Sequence, residues 1–144
     1  MIGSNFLKRI DDNVHLSEEH IHSVQMVRPT GAAGITVTSA GGAWTLGNFS
    51  NDIIAAGDVN LPYDLHWVVV SNESANAEYE LVFYYGPTDI ECARVVFSRS
   101  NPTLRSTELH LQSPILPAGS RIRAKLMDSA GGSACGVKVL LHTY

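Results

Sequence analysis

The stretch SRIRAKLM, residues 120–127, alternates polar and apolar side chains along its length. Its apolar side chains fall on one face of an extended chain: Ile122, Ala124 and Leu126. Its basic side chains fall on the opposite face: Arg121, Arg123 and Lys125. This period of two predicts a β-strand with one face buried and the other in water.

Further strands are predicted on both sides of this stretch, separated by turn signals. They comprise residues 34–39, 43–49, 65–71, 79–86, 90–98, 107–113 and 136–144. LHWVVVS (65–71) is apolar on both faces, which indicates a strand in the centre of a sheet. Pro87, Thr88 and Asp89 separate two of the strands and predict a hairpin.

Almost no helical periodicity separates these strands, so we expect an all-β fold. Eight or nine strands at this spacing predict an antiparallel β-sandwich of the jelly-roll type. An immunoglobulin-like sandwich is the alternative, although the chain lacks the Cys–Trp–Cys pattern. The two cysteines, Cys92 and Cys135, form no CxxC motif, and we expect them to be buried free thiols rather than a disulfide.

The first 29 residues differ in character from the remainder. We divide the chain into residues 1–29, an N-terminal arm or short helix that leads into the first strand, and residues 30–144, the β-sandwich. Ser4 or Asn5 could cap the short helix. Pro29 and the small residues that follow it indicate a hinge between the two parts.

The candidate partner-contact residues come from the arm and from the basic strand face. In the arm they are Leu7, Ile10 and Val14, which occupy heptad-like positions, together with His20 and His22, which share one face of an extended chain. In the sandwich they are Arg121, Arg123 and Lys125. This basic stripe predicts either a docking patch for an acidic protein surface or a charged face that protects an edge strand.

Metal binding was considered for His15, His20 and His22 with Glu18 or Glu19. Their spacing supplies at most two well-placed ligands, so we interpret these histidines as polar strand residues or a subunit contact. Three further histidines could join a site only through the fold: His66, His110 and His142. We therefore predict no metal and no cofactor.

Catalytic signatures are also missing from the sequence. There is no GxSxG elbow, no papain-like cysteine flank and no glycine-rich phosphate loop, so we do not expect an enzyme. The net charge of −4 disfavours nucleic acid as a partner. The sequence shows no secretory signal and no apolar run that could span a membrane, which predicts a soluble protein made in a cytoplasm.

Three stretches resemble small structural proteins of tailed-phage particles: SEEHIHSVQMVRPTGAAG (17–34), GITVTSAGGAWTLG (34–47) and LPAGSRIRAKLMDSAGG (116–132), the last followed by a terminal strand that ends in LLHTY. The resemblance implies a β-sandwich head-decoration (cement) protein located in the virion and assembled in the host cytoplasm. It further implies a homo-oligomer, preferably a trimer, whose arm and sandwich bind a major capsid or other virion protein.

Two other functions fit the same fold. A carbohydrate-binding module, possibly in a phage receptor-binding apparatus, would expose aromatic side chains along one groove or loop rim: Trp44, Tyr63, Trp67, Tyr84 and Tyr85. A metal-dependent, cupin-like enzyme would require histidines that converge inside the barrel.

Overall fold

The computed structural model describes residues 25–31, 33–100 and 106–144. Eight strands lie in these ranges: β1 (Gln25–Arg28), β2 (Ile35–Thr38), β3 (Tyr63–Ser71), β4 (Ala77–Tyr85), β5 (Ile90–Arg99), β6 (Thr107–His110), β7 (Ile122–Asp128) and β8 (Ala134–Thr143). The predicted lead-in to the first strand, within residues 1–29, contains β1 itself. The short helix expected after Ser4 or Asn5 lies outside the described residues.

The strands form two antiparallel sheets, which confirms the predicted all-β sandwich. Sheet A has the order β1–β8–β3–β6, and β2 also pairs with β8. Sheet B has the order β5–β4–β7. β4 and β5 form the predicted hairpin, and β3 lies between β8 and β6 as expected of a central strand. Within the described residues, no helix is long and apolar enough to cross a membrane.

The core lies between the two sheets and follows the period of two. On β7, the predicted inward side chains of Ile122, Ala124 and Leu126 are fully buried. β8 contributes a matching row from the opposite sheet: Val137, Val139 and Leu141. The larger side chains that fill the space between them include Tyr63, Leu65, Tyr79, Leu81 and Phe83. Burial of these apolar surfaces is the main stabilising contribution to the fold.

The strand predicted at residues 43–49 does not form, and the prediction there was wrong. The chain from residue 44 to residue 54 instead winds along the free side of β7. The amides of Trp44, Gly47, Ser50 and Ile53 donate to the carbonyls of Asp128, Leu126, Ala124 and Ile122 respectively. Three residues of this segment therefore span two residues of β7, whereas a β-ladder advances equally on both strands.

A buried carboxylate links the two sheets at one end of the sandwich. Asp128, at the end of β7, accepts hydrogen bonds from the hydroxyls of Ser39 (2.5 Å) and Ser133 (2.7 Å). The amides of Ala130 and Gly131 donate to the same carboxylate. Burial by itself would raise the pKa of Asp128, but these hydrogen bonds outweigh it and lower the pKa.

Candidate functional site

The structure describes three of the eight predicted contact residues. Arg121, Arg123 and Lys125 project together from the outer face of sheet B, as the alternation predicted. The other five lie outside the described residues: Leu7, Ile10, Val14, His20 and His22. Their role as partner contacts stays a prediction.

The side chains of the basic stripe contact an acidic residue and an aromatic ring nearby. Arg121 and Arg123 both donate to Asp89, which lies in the turn between β4 and β5. The hydrogen bond from Arg123 is the main reason why the pKa of Asp89 is lowered. Arg123 and Lys125 also lie over the ring of Phe49, each 4.2 Å from its centroid. Part of the positive charge is thus compensated internally, which the spacing in the sequence did not indicate.

A second group of polar side chains lies on the outer face of sheet A. Asp64 of β3 pairs directly with His142 of β8, and His142 pairs on its other side with Gln25 of β1. We call this end of sheet A the arm end, because β1 begins here with Gln25. Directly opposed residues of an antiparallel pair share a face, so the side chains of Asp64 and His142 lie together.

His66, two residues after Asp64, lies on the same face at a β-bulge. The register between β3 and β8 shifts between Leu65 and Trp67, so that Leu65 opposes Leu141 whereas Trp67 opposes Leu140. His66 is the additional residue, and bulges of this kind redirect side chains. The His66 ring packs against the ring of His142, with centroids 4.2 Å apart.

Asp64, His66 and His142 form what we call the Asp–His cluster. One potential ligand atom from each residue lies within 4.8 Å of those of the other two. His110 of β6 lies beside the cluster, its ring 5.2 Å from that of His66. The histidines therefore converge on the outer face of a sheet, not inside the barrel as a cupin-like site would require.

One oxygen of the Asp64 carboxylate accepts two hydrogen bonds, whereas the other has no hydrogen-bond partner. Gln112 and the Tyr144 hydroxyl both donate to its Oδ2. Its Oδ1 and the Nδ1 of His66 are buried without a hydrogen-bond partner. Asp64 is only 4% exposed. Buried polar atoms of this kind are nearly always satisfied by protein groups, water or an ion.

The environment of His66 lowers its pKa and so favours the neutral imidazole. Burial is the largest cause that lowers its pKa, and the adjacent His142 lowers it further. A neutral imidazole has a lone pair on one of its ring nitrogens, which is the form that coordinates metal ions.

Large apolar side chains are exposed beside the cluster. Leu61, Ile115 and Tyr144 are 52%, 59% and 51% exposed, respectively. Backbone hydrogen bonds bring them together: Tyr144 donates to the carbonyl of Pro62, and Tyr63 pairs with Leu116. We call these three residues the apolar end patch, and they lie at the arm end of sheet A.

A polar groove of about 420 Å³ lies between β2 and the segment of residues 44–54 that runs beside β7. Hydroxyl and amide side chains line it, including Thr36, Thr38, Asn48 and Asn51. Trp44, 46% exposed, belongs to the turn that connects the two walls. Of the other aromatic residues proposed for sugar binding, Tyr63 is fully buried, whereas Trp67, Tyr84 and Tyr85 are half-buried.

The sequence analysis named the three histidines on sheet A but missed Asp64. The signal was present in DLHW, residues 64–67, because Asp and His two positions apart share one face of a strand. The bulge and the pairing with His142, however, are properties of the fold.

No known protein family and no curated protein matches the sequence. Several solved structures are similar in fold. The tumour necrosis factor Eiger from S. frugiperda is 11% identical, with 85% of this chain and 92% of that chain covered and a TM-score of 0.45. The carbohydrate-binding module CBM6cm-2 of Cellvibrio mixtus lichenase 5A, in complex with cellotriose, is 17% identical, with 85% and 88% covered and a TM-score of 0.39.

A structure of the Gt strain of infectious bursal disease virus is 8% identical, with 84% of this chain and 32% of that chain covered and a TM-score of 0.42.

Proposed function

We propose that this protein is a non-enzymatic structural protein of a phage particle, a capsid decoration protein that assembles through the arm end of sheet A. One observation supports the proposal. β1 begins at Gln25, opposite His142, at the end where the apolar end patch is exposed. An arm and an apolar surface at one end are what a protein needs to bind itself and a neighbouring lattice subunit.

The apolar end patch has the character of an interaction surface. Three large apolar side chains, each more than half exposed, lie on chain segments that meet at the same end of sheet A. Groups of this kind mark protein–protein contacts more often than isolated exposed residues do. The resemblance noted in the sequence implies a homotrimer bound to a major capsid or other virion protein, and repetition on a lattice would add avidity.

The experiment measures the oligomeric state and the binding of purified capsids. We expect the full chain to be trimeric in size-exclusion chromatography with light scattering and to sediment with capsid shells. The double variant Leu61→Ser/Ile115→Ser should be monomeric and should not sediment with the shells. Val96→Ser is the matched control, since Val96 is 66% exposed on sheet B. A monomeric full chain, or an unchanged trimer in the double variant, would contradict the proposal.

The polar groove favours a second candidate, a carbohydrate-binding module. Its hydroxyl and amide side chains could exchange hydrogen bonds with sugar hydroxyls, and the exposed Trp44, in the turn next to the groove, could stack on a pyranose ring that extends beyond it. A glycan array followed by calorimetry tests this function. Trp44→Ala should abolish any binding observed, whereas Trp67→Ala on sheet A should not. An array without hits would exclude the candidate.

A further inference from the structure

Two neighbouring strands of sheet A present one carboxylate and two imidazoles to a single point. Asp64 and His66 come from β3, and His142 comes from β8 directly opposite Asp64. Two polar atoms of these residues, Asp64 Oδ1 and His66 Nδ1, are buried and lack a hydrogen-bond partner within the protein. Buried polar atoms are nearly always satisfied by protein groups, water or an ion.

The geometry is close to that of a metal site. Ligand atoms at about 2.0–2.2 Å from a tetrahedral zinc ion lie about 3.3–3.6 Å from each other. The potential ligand atoms lie within 4.8 Å of one another. Side-chain rotations that shorten these distances by up to about 1.5 Å would bring all three into coordination distance. The half-buried His66 and His142 keep the outer side of the cluster accessible to an ion from solvent.

The surroundings of the ligands also fit. Gln112 and Tyr144 donate to Asp64 Oδ2 and leave Oδ1 available, which is how second-shell residues commonly orient a coordinating carboxylate. Two imidazoles and one carboxylate are a ligand set that selects zinc and similar transition-metal ions over calcium or magnesium, which prefer oxygen ligands alone.

We propose that Asp64, His66 and His142 bind one divalent transition-metal ion of the zinc class, which fastens β3 to β8 at the arm end. A site with three protein ligands has a further position for water or for a group from a partner. The proposal concerns the described residues of sheet A and is independent of the histidines of the N-terminal segment.

Calorimetric titration of the full chain with ZnCl₂, after dialysis against a chelator, tests the proposal. We expect one ion per chain, and we expect Asp64→Asn and His142→Gln each to weaken binding at least about 100-fold, since loss of an outer-shell partner alone costs about 10- to 100-fold. Asp64→Asn preserves the size of the side chain, and circular dichroism of each variant verifies the fold.

The matched control is the triple variant His15→Gln/His20→Gln/His22→Gln, which removes the other histidine-rich stretch. It should retain the affinity of the wild type. If the triple variant loses zinc while Asp64→Asn and His142→Gln retain it, the site lies in the N-terminal segment and the proposal is wrong. A wild-type chain that does not bind Zn²⁺ would overturn it equally.

Discussion

Asp64 and His142 face each other across β3 and β8, and the same carboxylate accepts a hydrogen bond from Tyr144, which lies 80 residues further along the chain. The central strand of sheet A is thereby connected to the end of β8 through side chains as well as through the ladder. Both the Asp–His cluster and the apolar end patch depend on this register, so the two proposed activities share one structural element.

Removal of metal should destabilise the arm end. An ion that binds only the folded chain raises its stability by mass action. We therefore expect EDTA to lower the melting temperature of zinc-loaded protein and to leave that of His142→Gln unchanged. Lys138→Gln is the control, because Lys138 lies on the same outer face of β8. A melting temperature that is insensitive to EDTA in the zinc-loaded wild type would contradict the expectation.

Asp128→Asn should destabilise the sandwich by about 2–3 kcal/mol, because a neutral amide would replace a buried carboxylate that accepts four hydrogen bonds. Unfolding in urea, monitored by tryptophan fluorescence, measures the change. Asp52→Asn, at an exposed position, should alter stability by no more than about 0.5 kcal/mol. Equal effects of the two substitutions would show that the Asp128 network contributes little.

We expect the free energy of unfolding to fall in acid as Asp89 and Asp128 become protonated. Both carboxyl groups have a pKa below the ordinary value of 3.8 in the folded chain. A lowered folded-state pKa gives stability that is present above the unfolded value and is lost as the pH falls through the folded one. We thus expect their contribution to be constant above about pH 5 and to decline below 3.8.

The variant Asp89→Asn tests this dependence at one of the two groups. Asp89 has a φ of +52°, a conformation that Asn tolerates well, so the backbone should be preserved. The stability of this variant should vary less steeply with pH below 3.8 than that of the wild type. Identical slopes in urea unfolding series from pH 2 to pH 6 would rule out a contribution from Asp89.

Gly47→Ala should displace the segment that runs along β7. A Cβ atom at position 47 would lie 1.9 Å from the carbonyl oxygen of Thr38, so the backbone would have to move. We expect a loss of about 1–3 kcal/mol. Gly41→Ala introduces a methyl group into open space and should be nearly neutral. Equal urea midpoints for the two variants would contradict this account of the contact.

Most strands could be predicted from the pattern of apolar side chains that burial imposes. The faces assigned to residues 120–127 are those observed in β7. The segment 43–49 has strand-like composition as well, yet it is not a strand. Two contacts determine the path of this segment. Gly47 lies close to Thr38, and every third amide of the segment donates to every second carbonyl of β7. Neither contact depends on local propensity.

Only part of the Asp–His cluster could be predicted from spacing. Asp64 and His66 are two residues apart and share a face of β3, whereas His142 reaches them only through the register of β8. By contrast, the basic stripe was correctly placed on one face, but its partner Asp89 comes from a turn whose position depends on the packing of the hairpin.

The segment that winds along β7 has a consequence for how copies of this protein can associate. Its amides already use the outward carbonyls from Ile122 to Asp128. A second chain therefore cannot extend sheet B from that side by adding a strand, the usual first step of fibrous self-association. Contacts on this flank have to be made between side chains, which restricts the protein to discrete complexes there and disfavours open-ended growth.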